Sequence, residues 1–167
     1  MKKMIQAALF CALISVCSWI ALPLPGVSLT LQSLAVALCG YCLGWKYALA
    51  AWGGWLLLGG FGLPVFSGFS GGIGWLLGPS GGFLFGFSLL AASCGVPLQK
   101  RGHRLMAGGL GTVLLHLCGA GWFALSVRCS LGQALLTCSL PFLVKDLICL
   151  GVAEFAANKI GNFEKRT

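Results

Sequence analysis

Residues 62–83 read GLPVFSGFSGGIGWLLGPSGGF. Eight of these 22 residues are glycine, two are proline and none is charged, so the segment is apolar enough for a membrane but a poor helix former. Hydrophobic runs flank it on both sides. Non-helical backbone at membrane depth is tolerated only where it is buried in protein or lines a cavity, because lipid cannot satisfy its polar groups. If the flanking runs cross a membrane, the segment is a candidate for a packed or ligand-lining loop.

The composition indicates that the flanking runs do cross a membrane. Of the 167 residues, 58% are hydrophobic and 8% are charged, and the mean hydropathy is +0.95. A soluble domain carries about 25% charged residues, and a soluble fold of this length has no core large enough to bury so much apolar surface. We therefore interpret residues 1–167 as a single transmembrane domain.

The apolar runs predict an all-α integral membrane protein with six transmembrane helices, because about 20 apolar residues of helix cross the ~30 Å hydrocarbon layer. The predicted spans cover residues 5–22, 31–44, 47–61, 80–96, 105–127 and 139–160. The second and third are short and are expected to extend into neighbouring loops. Lys2 and Lys3 precede the first run as in a signal peptide, but no convincing cleavage site follows, so we predict a retained helix. The glycine-rich segment becomes an outer loop between the third and fourth helices.

Basic residues predict the orientation of these helices. With six spans, one side of the membrane receives Lys2, Lys3, Lys46, Lys100, Arg101, Arg104, Lys165 and Arg166. The opposite side holds Arg128, with Lys145 near the start of the sixth span. The positive-inside rule therefore places both termini in the cytoplasm of a plasma-membrane protein. Topology and contact with anionic lipid account for the net charge of +8 without nucleic acid.

The sequence lacks the patterns of an enzyme or a metalloprotein. Most of its nine cysteines lie inside apolar spans, where cysteine behaves as a small hydrophobe. Cys39 and Cys42 form a C-x-x-C without a second pair or a histidine at zinc spacing. Neither a Walker motif nor a plausible catalytic triad or carboxylate pair is present. We predict no enzyme, no metal and no cofactor, and leave open a disulfide between Cys129 and Cys138 near the outer face.

The glycine-rich segment has features of a binding loop. Phe66 and Trp75 supply aromatic faces, and glycines such as Gly72 and Gly81 let a ligand approach the backbone closely. A small, partly apolar molecule held by backbone amides and rings would suit such a loop. The alternative is a loop folded onto the helix ends for packing alone.

Two further outer segments support a site. Residues 23–32, PLPGVSLTLQ, carry the hydrogen-bonding groups of Thr30 and Gln32, and residues 141–149, PFLVKDLIC, carry Lys145 and Asp146. Placing Asp or Lys toward the centre of a membrane helix costs roughly 2.5–3.5 kcal/mol each on insertion scales. Such residues are functional candidates by default. The alternative is that Lys145 and Asp146 only neutralise one another.

The segments PLPGVSLTLQ, GGFGLPVFSGFSGG, LLGPSGGFLFGF and PFLVKDLI, in this order and spacing, resemble the BioY family. These are the biotin-specific substrate-binding (S) subunits of energy-coupling-factor (ECF) transporters. The resemblance covers about residues 5–160. It implies six transmembrane helices, biotin binding from the outside, and docking on a transmembrane coupling protein that carries two ATPase subunits, so that only the partners use ATP. Docking in the family uses an A-x-x-x-A pattern on the first helix, which Ala8 and Ala12 match.

The resemblance also implies roles for particular residues. Ser80 stands at the threonine of the family's GPTGG and keeps its hydroxyl, and Phe83 stands at the following tyrosine and keeps its ring. Asp146 matches the family's aspartate, but Cys149 stands where lysine is usual, so Lys145 is the expected substitute. The biotin-binding set is thus Thr30, Gln32, Phe66, Gly72, Trp75, Ser80, Gly81, Phe83, Lys145 and Asp146.

Several alternatives remain open at this point. His116 either reaches the pocket or bonds a neighbouring helix, and Glu154 is expected to pair with Lys159 or with a partner subunit. Besides a biotin-binding transporter subunit, the sequence allows a small transporter that works without ATPase partners. It also allows a structural or assembly membrane protein whose polar groups only fix helix packing.

Overall fold

The computed structural model of the protein describes residues 1–23 and 27–164. Residues 24–26 of the PLPGVSLTLQ segment lie outside the described residues, as do Lys165 and Arg166, which we predict on the cytoplasmic side. The elements in chain order are α1 (Lys2–Trp19), β1 (Ala21–Pro23), β2 (Ser28–Thr30), α2 (Gln32–Leu43), α3 (Trp45–Gly60), α4 (Ile73–Leu77), α5 (Gly81–Cys94), α6 (Arg101–Val127), α7 (Leu131–Cys138) and α8 (Leu140–Glu164).

The described chain is mostly helical, as predicted. Each of the six predicted spans coincides with a helix of at least 12 residues, and the ends differ by at most four residues. Within the described residues, α1 and α6 are long and apolar enough to cross a bilayer, and α7 with α8, bent by 49°, can supply a third span. The 12 residues of α2 rise only about 18 Å. Six complete spans therefore stay a prediction.

A small β-hairpin modifies the all-α prediction. β1 and β2 pair antiparallel, with Ala21 opposite Thr30 and Leu22 opposite Leu29. β2 lies in the outer segment 23–32, whereas Ala21 and Leu22 of β1 lie at the end of the predicted first span, whose helix ends at Trp19. Backbone groups that leave a helix near a membrane need partners, and pairing the two arms of the loop supplies them. The hairpin leads directly into α2, and Thr30 at its end is buried.

The first half of the glycine-rich segment is fixed to the ends of α1 and α3. The indole N–H of Trp19 donates to the carbonyl oxygen of Pro64 at 2.8 Å, and that of Trp55 donates to Val65 at 3.0 Å. The ring of Phe66 is 1% exposed and rests on Gly59, where an added Cβ would collide with it. Residues 64–66 are therefore packed against α1 and α3.

Glycines set the distance between α5 and α6. A Cβ atom added at Gly82 would lie 2.8 Å from the carbonyl oxygen of Cys118, and one added at Gly86 would lie 2.8 Å from Cδ1 of Leu115. Small residues let membrane helices approach closely where no hydrophobic driving force holds them together. This contact brings the start of α5, with Ser80 just before it, against the middle of α6.

Basic side chains gather at the end of the bundle where α1, α3 and α6 begin and α2 and α8 end. Arg101 Nε lies 2.5 Å from Oε2 of Glu154, and the guanidinium of Arg104 lies 4.9 Å from the Tyr41 ring centroid. The expected pairing of Glu154 with Lys159 is therefore wrong. The two residues are five positions apart on α8 and so point in different directions, and the Lys159 ammonium lies instead over the ring of Phe155 at 5.1 Å.

Candidate functional site

A cavity lies at the opposite end of the bundle, where α2, α5 and α8 begin. Its cavity volume is about 40 Å³. The hairpin, the glycine-rich segment and helices α2, α5, α6 and α8 all contribute to it. Its lining comprises Val27, Ser28, Thr30, Gln32, Phe66, Ser67, Trp75, Ser80, Phe83, Leu84, Phe87, Leu115, His116, Phe142, Lys145 and Asp146.

The structure brings most of the predicted site residues to this one cavity. Those that line it are Thr30, Gln32, Phe66, Trp75, Ser80, Phe83, Lys145 and Asp146. His116, for which two roles were left open, also lines it. Gly72 and Gly81 are not among the lining residues. The three predicted outer segments therefore do meet at one place in the fold.

Asp146 is the centre of a buried polar cluster. Its Oδ1 accepts a hydrogen bond from the Ser33 hydroxyl at 2.5 Å and lies 2.5 Å from the Lys145 ammonium. Its Oδ2 lies 3.1 Å from Nε2 of His116, but the ring is not aligned for a hydrogen bond there. The residue is only 5% exposed. A carboxylate in such a place is tolerated because a cation and a hydroxyl compensate for its lost hydration.

Lys145 bridges α8 to the start of α2. Its ammonium donates to the carbonyl oxygen of Thr30 at 2.6 Å and to the Ser33 hydroxyl at 3.1 Å, besides pairing with Asp146. Adjacent positions on a helix point about 100° apart, yet the flexible lysine stem brings both charged groups to the same cluster. Lys145 and Asp146 therefore neutralise one another and also both line the cavity.

Two buried polar side chains of the cavity have nitrogen atoms without a hydrogen-bond partner among the described residues. Gln32 accepts a hydrogen bond from the Thr30 hydroxyl at 2.9 Å through its Oε1, but its Nε2 has no acceptor. Both ring nitrogens of His116 are likewise without a hydrogen-bond partner. More than nine in ten buried polar groups in native proteins are paired. The cavity thus presents unused hydrogen-bonding groups from two different helices.

Aromatic rings form the apolar wall. The ring centroids of Phe83 and Phe142 lie 6.5 Å apart with a 28° interplanar angle, and Phe83 meets the His116 ring edge-on at 6.1 Å. Gly119 on α6 makes room for Phe83, since an added Cβ would collide with that ring. An apolar wall facing a few placed polar groups is typical of sites for small, partly apolar ligands.

Sequence reasoning missed Ser33 and Phe142. Phe142 precedes Asp146 by four residues on α8, so the i, i+4 spacing of a helix would have placed it on the same face. Ser33 is 113 residues from Asp146 in sequence, and one sequence carries no signal for that contact.

The cysteines lie apart from the cavity. None of the nine forms a disulfide, so the bond between Cys129 and Cys138 that the sequence left open is not formed in this structure. Cys149 is 6% exposed and follows Lys145 by one helical turn, but it does not line the cavity. No metal-binding group of histidine, cysteine or carboxylate side chains occurs in the described part of the chain.

Comparisons with known proteins agree with the motifs and with the fold. The pattern of the BioY family matches residues 1–166. The biotin transporter BioY of Thermotoga maritima is 38% identical over 167 residues, covering 98% of each chain. The probable biotin transporter BioY of Pyrococcus horikoshii is 35% identical, covering 95% of this chain and 96% of its own.

A solved structure shows the same architecture. It is the crystal structure at 2.1 Å of the S-component for biotin from an ECF-type ABC transporter, and it matches with a TM-score of 0.89 at 25% identity. The match covers 96% of this chain and 91% of the other. With the family pattern extending over nearly every residue, and with full-length relatives above 30% identity, this chain belongs to the BioY family.

Proposed function

We propose that this protein is the biotin-binding S component of an ECF-type transporter and serves biotin uptake across the plasma membrane. Full-length relatives are named as biotin transporters, and the solved structure that it matches is a biotin S component. The protein is a transport component and not an enzyme. It uses no cofactor of its own in this proposal, because ATP is hydrolysed by partner subunits.

The observation that carries the proposal is the group of buried polar side chains that line one cavity, Gln32, His116, Lys145 and Asp146, in which the Gln32 amide nitrogen has no acceptor. The ureido ring of biotin offers two N–H donors and one carbonyl acceptor. Asp146 can accept from the N–H groups, while Nε2 of Gln32 can donate to the carbonyl and His116 can complete the set. The thiophane ring and valerate chain suit the faces of Phe83 and Trp75, which lie across the same cavity.

A binding titration tests this assignment. Purified protein in detergent should bind biotin with a 1:1 stoichiometry and should bind lipoate far more weakly, because lipoate has a similar carboxylate chain but no ureido ring. Equal binding of the two compounds would mean that the polar cluster does not recognise the ureido group. Absence of biotin binding by a folded protein would favour a structural or assembly role.

The exposed face of α1 is the basis for proposing partner subunits. Ala8 and Ala12 are exposed, together with Leu9 and Leu13 on the same side of the helix. A strip of small residues between larger apolar ones suits close docking of another membrane helix. We assign this strip to the transmembrane coupling protein, which carries the two ATPase subunits. Uptake that needs ATP and these partners would support the assignment, whereas uptake by the protein alone would indicate a self-sufficient transporter.

The orientation that we propose places both termini in the cytoplasm and the cavity on the outside. A single cysteine replacing Gln99, in a variant whose reactive native cysteines are replaced, should be protected from a membrane-impermeant maleimide in intact cells. Gln99 is exposed beside the basic start of α6. The matched control replaces Gly132, which has open space around it near the start of α7, and should be labelled. Labelling at position 99 but not at 132 would reverse the topology.

Gly72 and Gly81 are expected to act on biotin binding through backbone geometry. Gly72 has a φ of +101°, and a Cβ at Gly81 would collide with the carbonyl oxygen of Leu76. Valine at either position should displace α4 with Trp75 and weaken biotin binding about tenfold. At position 72 a side chain held at positive φ costs roughly 1–3 kcal/mol, and at position 81 the carbonyl group of Leu76 must move. Gly74→Val is the control, because Gly74 has open space and no positive φ. Unchanged affinity in folded Gly72→Val and Gly81→Val variants would mean that the glycine-rich segment serves packing alone.

A further inference from the structure

A second recess opens at the basic end of the bundle, far from the biotin cavity. Its cavity volume is about 360 Å³, and it lies among the first turns of α1 and α6 and the last turns of α2 and α8. Its polar lining includes Lys3, Gln6, Arg104 and Asn158. These side chains supply two positive charges and two amide groups, which together can donate several hydrogen bonds.

The nearby buried acid offsets only part of the positive charge of the recess. Glu154 is 1% exposed, does not line the recess and holds Arg101 at 2.5 Å. The nearest contact between Glu154 and Arg104 is 3.9 Å, and Arg104 donates to the carbonyl oxygen of Tyr41 at 3.2 Å. The ammonium of Lys3 lies over the ring of Tyr47 at 5.6 Å. Arginine and lysine set around an open space suit a phosphate.

An apolar groove continues from this recess along α1. The groove is lined by Gln6, Leu9, Phe10 and Leu13, and it shares Gln6 and Phe10 with the recess. From Lys3 to Leu13 the helix rises about 15 Å, which is about half of the ~30 Å hydrocarbon layer. The recess offers cationic and amide groups to a lipid head group, and the adjoining groove is about as long as one leaflet is thick. Together they have the dimensions of a phospholipid.

We propose that this recess and groove bind one anionic phospholipid of the cytoplasmic leaflet. Its phosphate lies between Lys3 and Arg104, with Gln6 and Asn158 as hydrogen-bond donors, and one acyl chain follows Leu9 and Leu13. The inference does not rest on biotin binding, since no residue of the recess lines the biotin cavity. The bound lipid would lie beside Ala8 and Ala12, so it would border the surface assigned to the coupling protein.

Native mass spectrometry of the purified protein tests the head site. With equimolar phosphatidylglycerol and phosphatidylcholine of the same chains, the wild-type protein should retain one phosphatidylglycerol preferentially. Lys3→Gln should lower the retained fraction at least about fivefold. Lys46→Gln is the matched control, because Lys46 is an exposed lysine at the same end that does not line the recess, and it should retain the lipid like the wild type. An equal loss in both variants, or no loss in Lys3→Gln, would overturn the proposal.

The acyl-chain part is tested separately. Dihexanoyl phosphatidylglycerol keeps the head group but is too short to follow the groove to Leu13, and it should be retained at least about tenfold less than the long-chain lipid. Equal retention would exclude a phospholipid as the occupant and would point to a simple anion site, such as one for an acidic segment of a partner protein. Size-exclusion profiles of all variants establish that the proteins are folded.

Discussion

Asp146→Asn is expected to weaken biotin binding at least about tenfold. The substitution keeps the shape of the side chain but removes the charge that holds the Lys145 ammonium at 2.5 Å and accepts from Ser33 at 2.5 Å. It also replaces one acceptor oxygen by an NH2 group, which cannot accept a hydrogen bond from the N–H groups of the ureido ring. A buried polar group left without its partner costs about 1–3 kcal/mol, and 1.4 kcal/mol corresponds to a factor of ten.

The measurement is a biotin titration on purified, folded variants. Glu154→Gln is the matched control, because it neutralises a deeply buried carboxylate that lies eight residues further along α8 and pairs with Arg101, and it should leave biotin affinity nearly unchanged. Lys145→Met should cause a smaller loss than Asp146→Asn, since Ser33 and His116 still face the carboxylate. Wild-type affinity in Asp146→Asn would remove this residue from the site.

Cys149 provides a second way to examine the same cluster. It follows Asp146 by three residues, so the two positions are neighbours on the surface of α8. A lysine at 149 could therefore reach the carboxylate from one turn further along the helix. Cys149→Lys should lessen the loss of affinity caused by Lys145→Met. If it does not, Lys145 is not a substitute for the lysine that is usual in the family at position 149.

Ala8→Trp and Ala12→Trp are expected to lower the recovery of the coupling protein at least about tenfold in co-purification. Both alanines are exposed on α1. Helix association in lipid depends on close packing, and the bulk of an indole would separate the two backbones. Biotin affinity should remain nearly that of the wild type, because neither residue lines the cavity.

The control for docking is Cys118→Trp. Cys118 is also a small exposed residue, but it lies on α6, whose main neighbours are α5, α7 and α8. Tryptophan there should leave co-purification intact while adding the same bulk to the lipid-facing surface. Normal recovery with both α1 variants would show that the first-helix interface is wrong, and a loss with all three variants would indicate a general defect in assembly.

The sequence was sufficient for the long helices and for half of the cavity lining, eight of its 16 residues. Apolar runs located every long helix to within a few residues, because a membrane segment must satisfy its backbone internally. Asp146 was found because acids are rare inside such runs. Phe66, Trp75 and Ser80 were found through the glycine-rich motif and its resemblance to a family.

The remaining features depend on contacts between distant parts of the chain. The bond from Ser33 to Asp146 joins residues that are 113 positions apart, and one sequence does not link them. Glu154 was expected to pair with Lys159 or with a partner subunit, whereas Arg101 reaches it from α6. Gly72 and Gly81 were assigned to the site by motif, but the structure places them outside its lining.

The attachment of the glycine-rich segment has a kinetic consequence. The indoles of Trp19 and Trp55 hold Pro64 and Val65 in place, and Trp122 holds Gly78 through a 2.9 Å hydrogen bond. Between these anchors α4 contains no fully buried residue, and only Leu76 packs partly against the core. The Gly72 N–H also donates to the carbonyl oxygen of Gly59 at 2.7 Å. We expect a ligand to enter and leave by opening this short flap while the helix bundle stays closed. Association and dissociation rates should therefore respond to changes in α4, and the equilibrium constant chiefly to changes around Asp146.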